Sequence, residues 1–420
     1  MKKTIIANII IAALLPFTGL LLLMAVYMLP TGKMVVNVSN SMSLIESEFE
    51  NELAIDGYKA TMTGSFTDCL MLEHAIYNGN HSKLNQAMNM YRAESCPDDG
   101  EWWPGLSLRD YINGVEQPRE VEYSRYWHGY LVVLKPMLML FSLNSIRLFN
   151  LVFQLALLSM ILIELSKKGY SRVAISLAAA SAFMFFGVSY NSLSLSICLY
   201  LMLLGLLIQV CLDEKITKIN GYFAFFLIMG AATSYFDFLT YPIVTFGFPV
   251  CVYLCMHKEK IKERLIKFAV FGGLWGFGYI YMWASKWIFS DILAGNSTIK
   301  DALFTVGVRT GSDTVSLIKV IEKNLSVYLN RPYLILLALV LVLAIIWIIK
   351  DIKFIKKINI LNSIPLMFMV IAPFVWWMVT QNHSGQHWVF TCRIFSLSVF
   401  ALLCVCSQLI TDKEGRKDAL

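Results

Sequence analysis

The sequence predicts an all-α protein, a polytopic transmembrane helical bundle of about ten spans with a long loop between the first two. Three observations carry the prediction. Apolar residues gather in blocks rather than amphipathic stripes, charged residues are scarce, and the remaining charges alternate between two kinds of connection. Of 420 residues, 57% are hydrophobic and 15% charged, against roughly 25% charged in an ordinary soluble domain. The blocks run to roughly 18–25 residues, the length a helix needs to cross about 30 Å of hydrocarbon.

The first block, 5–29, follows Lys2 and Lys3. It is too long for the apolar core of a signal peptide and lacks a small-residue cleavage site, so it reads as a retained span. The others are 145–165, 173–190, 194–212, 221–235, 240–256, 268–288, 332–349, 361–380 and 388–410. Lysine and arginine recur at 2–3, 167–172, 215–218, 258–267, 350–357 and 413–417. Cytoplasmic loops carry such an excess, which predicts a multi-pass plasma-membrane protein with both termini in the cytoplasm. The net charge of +6 therefore reports topology rather than a nucleic-acid partner.

This order divides the chain into a first span (1–29), an extracytoplasmic loop with juxtamembrane helices (30–144), a bundle (145–289), a second extracytoplasmic loop (290–331), C-terminal spans (332–411) and a cytoplasmic tail (412–420). The first loop is too long for a passive connection and is expected to fold as a small helical subdomain. Within it, 131–143 is apolar but short and interrupted by Lys135-Pro136, which suits an interfacial or re-entrant helix. Of nine cysteines, Cys198, Cys211, Cys251, Cys255, Cys404 and Cys406 lie in or beside apolar blocks, where a thiol acts as a small hydrophobe. Cys69 and Cys96 share the polar loop, where a bridge is one open reading. The sequence has no internal repeat, low-complexity tract or Gly-rich nucleotide motif.

Ionisable groups near lipid are costly, so five groups on the extracytoplasmic side are candidates for function. Asp68 opens an apolar, helix-like run, where it is either a first-turn cap or a general base. Glu73 and His74 follow and could join it around a metal or an acceptor hydroxyl, against the plainer reading of solvated surface. Asp237 sits among Tyr235, Phe236, Phe238 and Tyr241. The rings suit an interfacial belt, but the carboxylate needs a donor, a cation or a function. Lys286, between Trp283 and Trp287, either snorkels to headgroups or binds a lipid-carrier phosphate. His383 and His387 share a helix face, and Arg393, inside the last block, needs an anionic partner. Arg331 closes a loop that also holds Lys300 and Arg309, a set of cations suited to an anionic lipid. No certain cofactor is identified in the sequence. A divalent metal stays open as an alternative, although two histidines do not make a site and spacing identifies no third ligand.

This layout resembles the GT-C superfamily of membrane glycosyltransferases, which includes protein O-mannosyltransferases and the lipid A aminoarabinose transferase. The resemblance rests on one span, a long outer loop with an acid, and many further spans. It rests also on Tyr126-Trp127-His128-Gly129-Tyr130 leading to Ser145-Ile146-Arg147-Leu148-Phe149-Asn150, similar to the family's interfacial element and the arginine that starts its second span. Asp68 comes later than the family's acid, and Gly129 stands where the family has proline. The resemblance implies transfer of a sugar from a polyprenyl-phosphate donor, held in membrane lipid, to an extracytoplasmic glycan, lipid or protein acceptor. It implies Asp68 as general base, Lys286, Arg393 and Arg331 on the donor phosphate, and Glu73, His74, His128, Asp237, His383 and His387 lining the cavity.

A flippase or transporter is the rival class, and another cell-envelope enzyme is a further one. A translocation path favours repeats and ionisable residues at mid-membrane. Here Asp237, Lys286, Arg331 and His383 cluster near one face, which favours surface chemistry. Short loops and lysine-rich turns suit a bacterial membrane.

Overall fold

The computed structural model describes residues 2–50, 53, 55, 57–95, 103–115, 119–350 and 357–409. The first helix, α1 (Lys2–Val26), carries no charge beyond Lys3. Its Ile5, Ile9, Leu14, Phe17 and Leu21 all face outward. The chain then builds α2 (Gly32–Ser39), α3 (Met42–Glu50), α4 (Ser65–Ile76), α5 (Lys83–Asn89), strand β1 (Arg92–Glu94), α6 (Pro104–Ile112), strand β2 (Arg119–Val121) and α7 (Leu131–Leu140). The strands pair antiparallel with Arg92 opposite Val121, so the segment expected to be wholly helical also holds a two-stranded ribbon.

The bundle follows as α8 (Leu143–Lys167), α9 (Ser171–Phe183), α10 (Phe186–Ser189), α11 (Leu193–Lys218), α12 (Tyr222–Phe236), α13 (Val244–Met256) and α14 (Ile261–Ala294). After it come α15 (Thr298–Thr310), α16 (Leu317–Ser326), α17 (Arg331–Lys350), α18 (Lys357–Asn362), α19 (Ile364–Val379), α20 (Gln381–Gln386), α21 (Trp388–Thr391) and α22 (Phe395–Gln408). Cys96, most of the basic run 350–357 and the tail with Lys413, Arg416 and Lys417 lie outside the described residues.

Among the described residues six helical stretches are long and apolar enough to cross a membrane: Thr4–Val26, Leu143–Lys167, Leu193–Lys218, Ile261–Ala294, Arg331–Lys350 and Trp388–Gln408. The protein is an all-α membrane protein. Four other expected spans form shorter helices, α9 and α13 of 13 residues, α12 of 15 and α19 of 16. At about 1.5 Å per residue these reach roughly 20–24 Å, less than the hydrocarbon thickness. Turns shorten them: Phe185 after α9 and Leu239 between α12 and α13 adopt left-handed backbone, with φ of 55° and 71°.

Packing follows the logic of a lipid solvent. Helix α8 turns Leu148, Val152, Leu155 and Ile163 outward and buries Arg147, Asn150 and Gln154. Those polar groups bind across to α11, through Gln154 to Ser196 (3.0 Å) and Tyr200 to Asn150 (2.8 Å). With apolar lipid outside, packing and hydrogen bonds rather than hydrophobicity hold such helices together. At the α12–α14 crossing, a side chain on Gly230 would strike the Trp275 carbonyl and one on Gly278 the Leu227 carbonyl, so the two backbones touch.

One apolar core lies within the bundle, and a second joins α1 to the subdomain and to the near ends of α8, α11, α12 and α14. At the opposite end Tyr170 donates to the Met256 carbonyl (3.1 Å), His257 pairs with Asp213 (2.9 Å) and Arg264 donates to the Asn362 carbonyl (3.0 Å). The basic connections 167–172, 215–218 and 258–267 therefore gather there, away from the subdomain.

Candidate functional site

Asp68 lies in the first turn of α4 but serves another helix. Its Oδ1 accepts from the Ser192 hydroxyl (2.9 Å) and from Ser194 through both amide (3.0 Å) and hydroxyl (2.9 Å), and its Oδ2 accepts from the Leu193 amide (2.8 Å). Those groups are the N-terminus of α11, whose unpaired amides and positive dipole end favour a carboxylate. Gly64 permits the approach, because a Cβ there would stand 2.6 Å from Ser194 Oγ. Burial raises the Asp68 carboxyl above its usual range, against the pull of Arg147 and of the Ser194 and Leu193 amides. Arg147 lies 3.9 Å from Asp68 and makes a two-point pair with Glu48 of α3, one arm being 2.8 Å. Two carboxylates thus share one guanidinium where the subdomain meets the bundle.

Glu73 and His74 are not part of that cluster. Five and six residues beyond Asp68, they point roughly 140° and 240° around the helix from it. Glu73 pairs with Arg92 (3.2 Å), which pairs with Glu94 (2.7 Å), which in turn binds Arg119. Burial outweighs Arg92 and pushes Glu73 up to about 8. The His74 ring lies 4.6 Å from that of His128 at a tilt of 59°, and His128 Nδ1 meets the Tyr130 hydroxyl (3.0 Å) while its Nε2 meets the Tyr123 carbonyl (3.0 Å). Gly129 is explained by contact: its amide donates to the Tyr235 carbonyl (2.8 Å), and a Cβ would meet that oxygen at 2.6 Å.

Phe238 joins this layer to the next, with its ring 5.1 Å from that of His128. The adjacent Asp237 is buried, but it has the donor it needs in the Thr240 amide (2.8 Å) and hydroxyl. The left-handed Leu239 in that turn offers its carbonyl to His383 Nε2 (2.8 Å). Arg309, from α15, lies 3.4 Å from His383 Nδ1 and over the Tyr126 ring at 5.6 Å. The His383 and His387 rings are 4.7 Å apart. His383, His387 and Arg309 therefore form one cluster, which the turn holding Asp237 reaches through the Leu239 carbonyl and which Phe238 and Tyr126 connect to the His74–His128 pair.

Two of the lysine and arginine candidates stand apart. Lys286 does not reach solvent: its Nζ donates to the Ala87 (2.7 Å) and Met88 (2.8 Å) carbonyls, the C-terminal end of α5, over the Trp127 ring. Arg331 is exposed at the first residue of α17. There the helix dipole disfavours a cation, unlike a lipid phosphate at the same level. Arg393 is 1% exposed in the 3-10 turn joining α21 to α22. Glu48 escaped sequence reading because a half-buried glutamate in an acidic amphipathic helix has no distinguishing spacing. Among the described residues no group of three His, Cys, Asp or Glu side chains is placed to hold a metal. Cys69 is a buried thiol.

Two histidines give this layer a pH signature. Burial, with Arg92 adding to it, holds His74 down at about 3, and burial with Arg309 holds His387 at about 4. Unfolded, each takes a proton near pH 6.5, so below that pH the unfolded chain binds more protons and stability falls. Each site contributes about 1.4 kcal/mol per pH unit, fully present above 6.5 and lost toward its folded value. Glu73 contributes with opposite sign below about 8, so the readout is the difference between wild type and His74→Gln. That difference should shrink by roughly 2 kcal/mol between pH 6.5 and 5. A pH-independent difference would show His74 to be solvated. No known protein family, curated protein or solved structure matches this chain.

Proposed function

We propose that this protein is a membrane glycosyltransferase of the GT-C type, with about ten spans and both termini cytoplasmic. It would move a sugar from a polyprenyl-phosphate-linked donor to an acceptor on the extracytoplasmic side, where the subdomain lies. The observation that carries the reading is Arg393. Its Nη1 donates to the Val389 carbonyl, its Nε and Nη2 have no hydrogen-bond partner, and its guanidinium rests 5.2 Å from the Phe185 ring centre. No described carboxylate pairs with it. A buried guanidinium left so is costly, and phosphate oxygens complete its fork.

Arg393 is coupled to the carboxylates through α11. Tyr241, within its electrostatic reach, donates to the Leu195 carbonyl, one residue from the Ser194 that binds Asp68. In this reading Glu48 takes the acceptor's hydroxyl proton, because Asp68 is saturated with donors while Glu48 is 13% exposed beside the same Arg147. The acceptor oxygen bonds to the anomeric carbon as the carbon–phosphate oxygen bond breaks. Arg393, with Arg331 at the rim, neutralises the departing polyprenyl phosphate. Lys286 and Asp68 hold the scaffold, and His383, His387, Asp237, Glu73, His74 and His128 shape the wall.

The test is label transfer by purified protein in liposomes supplied with radiolabelled polyprenyl-phosphate sugars. Wild type should transfer label, and Arg393→Ala should lose about 100-fold or more while staying folded. Intact labelled lipid appearing in the opposite leaflet, without transfer, would replace this reading with a flippase.

A further inference from the structure

A small pocket opens at the far end of α4 from Asp68, lined by Tyr27, Thr31, Tyr77, Asn78, Lys83 and Lys135 among others. Its depth follows from the chain: α1 ends at Val26, so Tyr27 and Thr31 mark where an apolar helix leaves hydrocarbon, at the level of lipid headgroups.

The cavity is cationic. Lys135 is 1% exposed although it lies on the short apolar α7. One of its three N–H donors goes to the Ala75 carbonyl (2.6 Å), at the C-terminal end of α4, and the ammonium sits 5.0 Å from the Tyr27 ring centre. Lys135 itself lines the pocket. Lys83 stands exposed at the rim. None of the described lining residues is a carboxylate, and the nearby Glu120 is taken by His81 (2.8 Å) and by Tyr77. Lys135 and Lys83 give the pocket a positive charge suited to a tetrahedral oxyanion, while the Tyr77 hydroxyl and the Asn78 N–H are already given to Glu120 and to the Tyr111 hydroxyl.

We infer that this cavity is a phosphate-binding site, separate from Arg393, that takes a phosphate ester at headgroup depth with Lys135 as its fixed ligand and Lys83 at its mouth. Burial, with Lys83 adding to it, holds Lys135 down at about 8, and a bound dianion would reverse that tendency. The inference does not depend on sugar transfer.

The experiment is thermal unfolding of the full-length protein in a neutral detergent, titrated with phosphatidic acid, with phosphatidylcholine, or with inorganic phosphate at matched ionic strength. Phosphatidic acid should raise the midpoint, and Lys83→Ala, an exposed position, should weaken its half-effect concentration about tenfold. Arg393→Ala should leave it unchanged. A shift with phosphatidic acid alone identifies a lipid ligand; an equal shift with inorganic phosphate identifies a soluble one. No shift with either, or the same shift in Lys83→Ala, overturns the site. Loss of the shift in Arg393→Ala also overturns it, by assigning the anion to that arginine.

Discussion

Asp68→Ala is expected to destabilise the protein by about 3–5 kcal/mol, the range for removing one partner of a buried charged network. The change strips four hydrogen bonds from the N-terminus of α11, leaving the Leu193 and Ser194 amides and two serine hydroxyls without their acceptor. It also leaves Arg147 with Glu48 alone. Asp68→Asn should lose about 2–3 kcal/mol, because its amide group turns a donor toward amides that are themselves donors. Thermal unfolding in detergent reads both. The same pair of variants separates the two roles proposed for this residue. An Asp68→Asn protein as stable as wild type but inactive in transfer would make Asp68 the catalytic base and displace Glu48 from that role.

Lys286→Met should have an effect of similar size, about 3 kcal/mol, through the outer subdomain. Two carbonyls at the end of α5 lose their donor, each costing about 1–3 kcal/mol when buried, and the Trp127 ring loses the cation above it. Ser290 still donates to Met88 at 3.2 Å and compensates part of the loss. Lys286→Arg should not restore stability, since a planar fork does not fit two carbonyls converging on one ammonium. Unfolding in detergent, together with the rate at which a protease cuts within α5, measures the change. A Lys286→Met protein that unfolds like wild type yet has lost transfer would return Lys286 to the donor phosphate.

Asp68 and Lys286 both find their partners far along the chain. The residue types themselves demand partners, since a carboxylate or an ammonium near lipid must have one. What the partner is could not be read. Asp68 meets the start of a helix through Ser192, 124 residues later, and Lys286 meets a carbonyl 199 residues earlier. A helix end presents no sequence signal to a distant side chain. Asp237 shows the same limit at short range: Thr240 satisfies it, but only because the turn places Leu239 in the left-handed region. Gly129, which departs from the pattern of the resembling family, turns out to fit the backbone contact with Tyr235.

What the sequence determined by itself is the class of molecule: helical, membrane-embedded, polar on one side of the bundle and basic on the other. The reason is that a bilayer acts as a uniform solvent. Any apolar run of sufficient length satisfies its own backbone as a helix there, whatever else surrounds it. Four helices cut short by turns, the Glu48–Arg147–Asp68 cluster, the unpaired fork of Arg393 and the two-lysine cavity were decided only by tertiary structure. Each depends on where helix ends meet, and a helix end finds its partner through space, not along the chain.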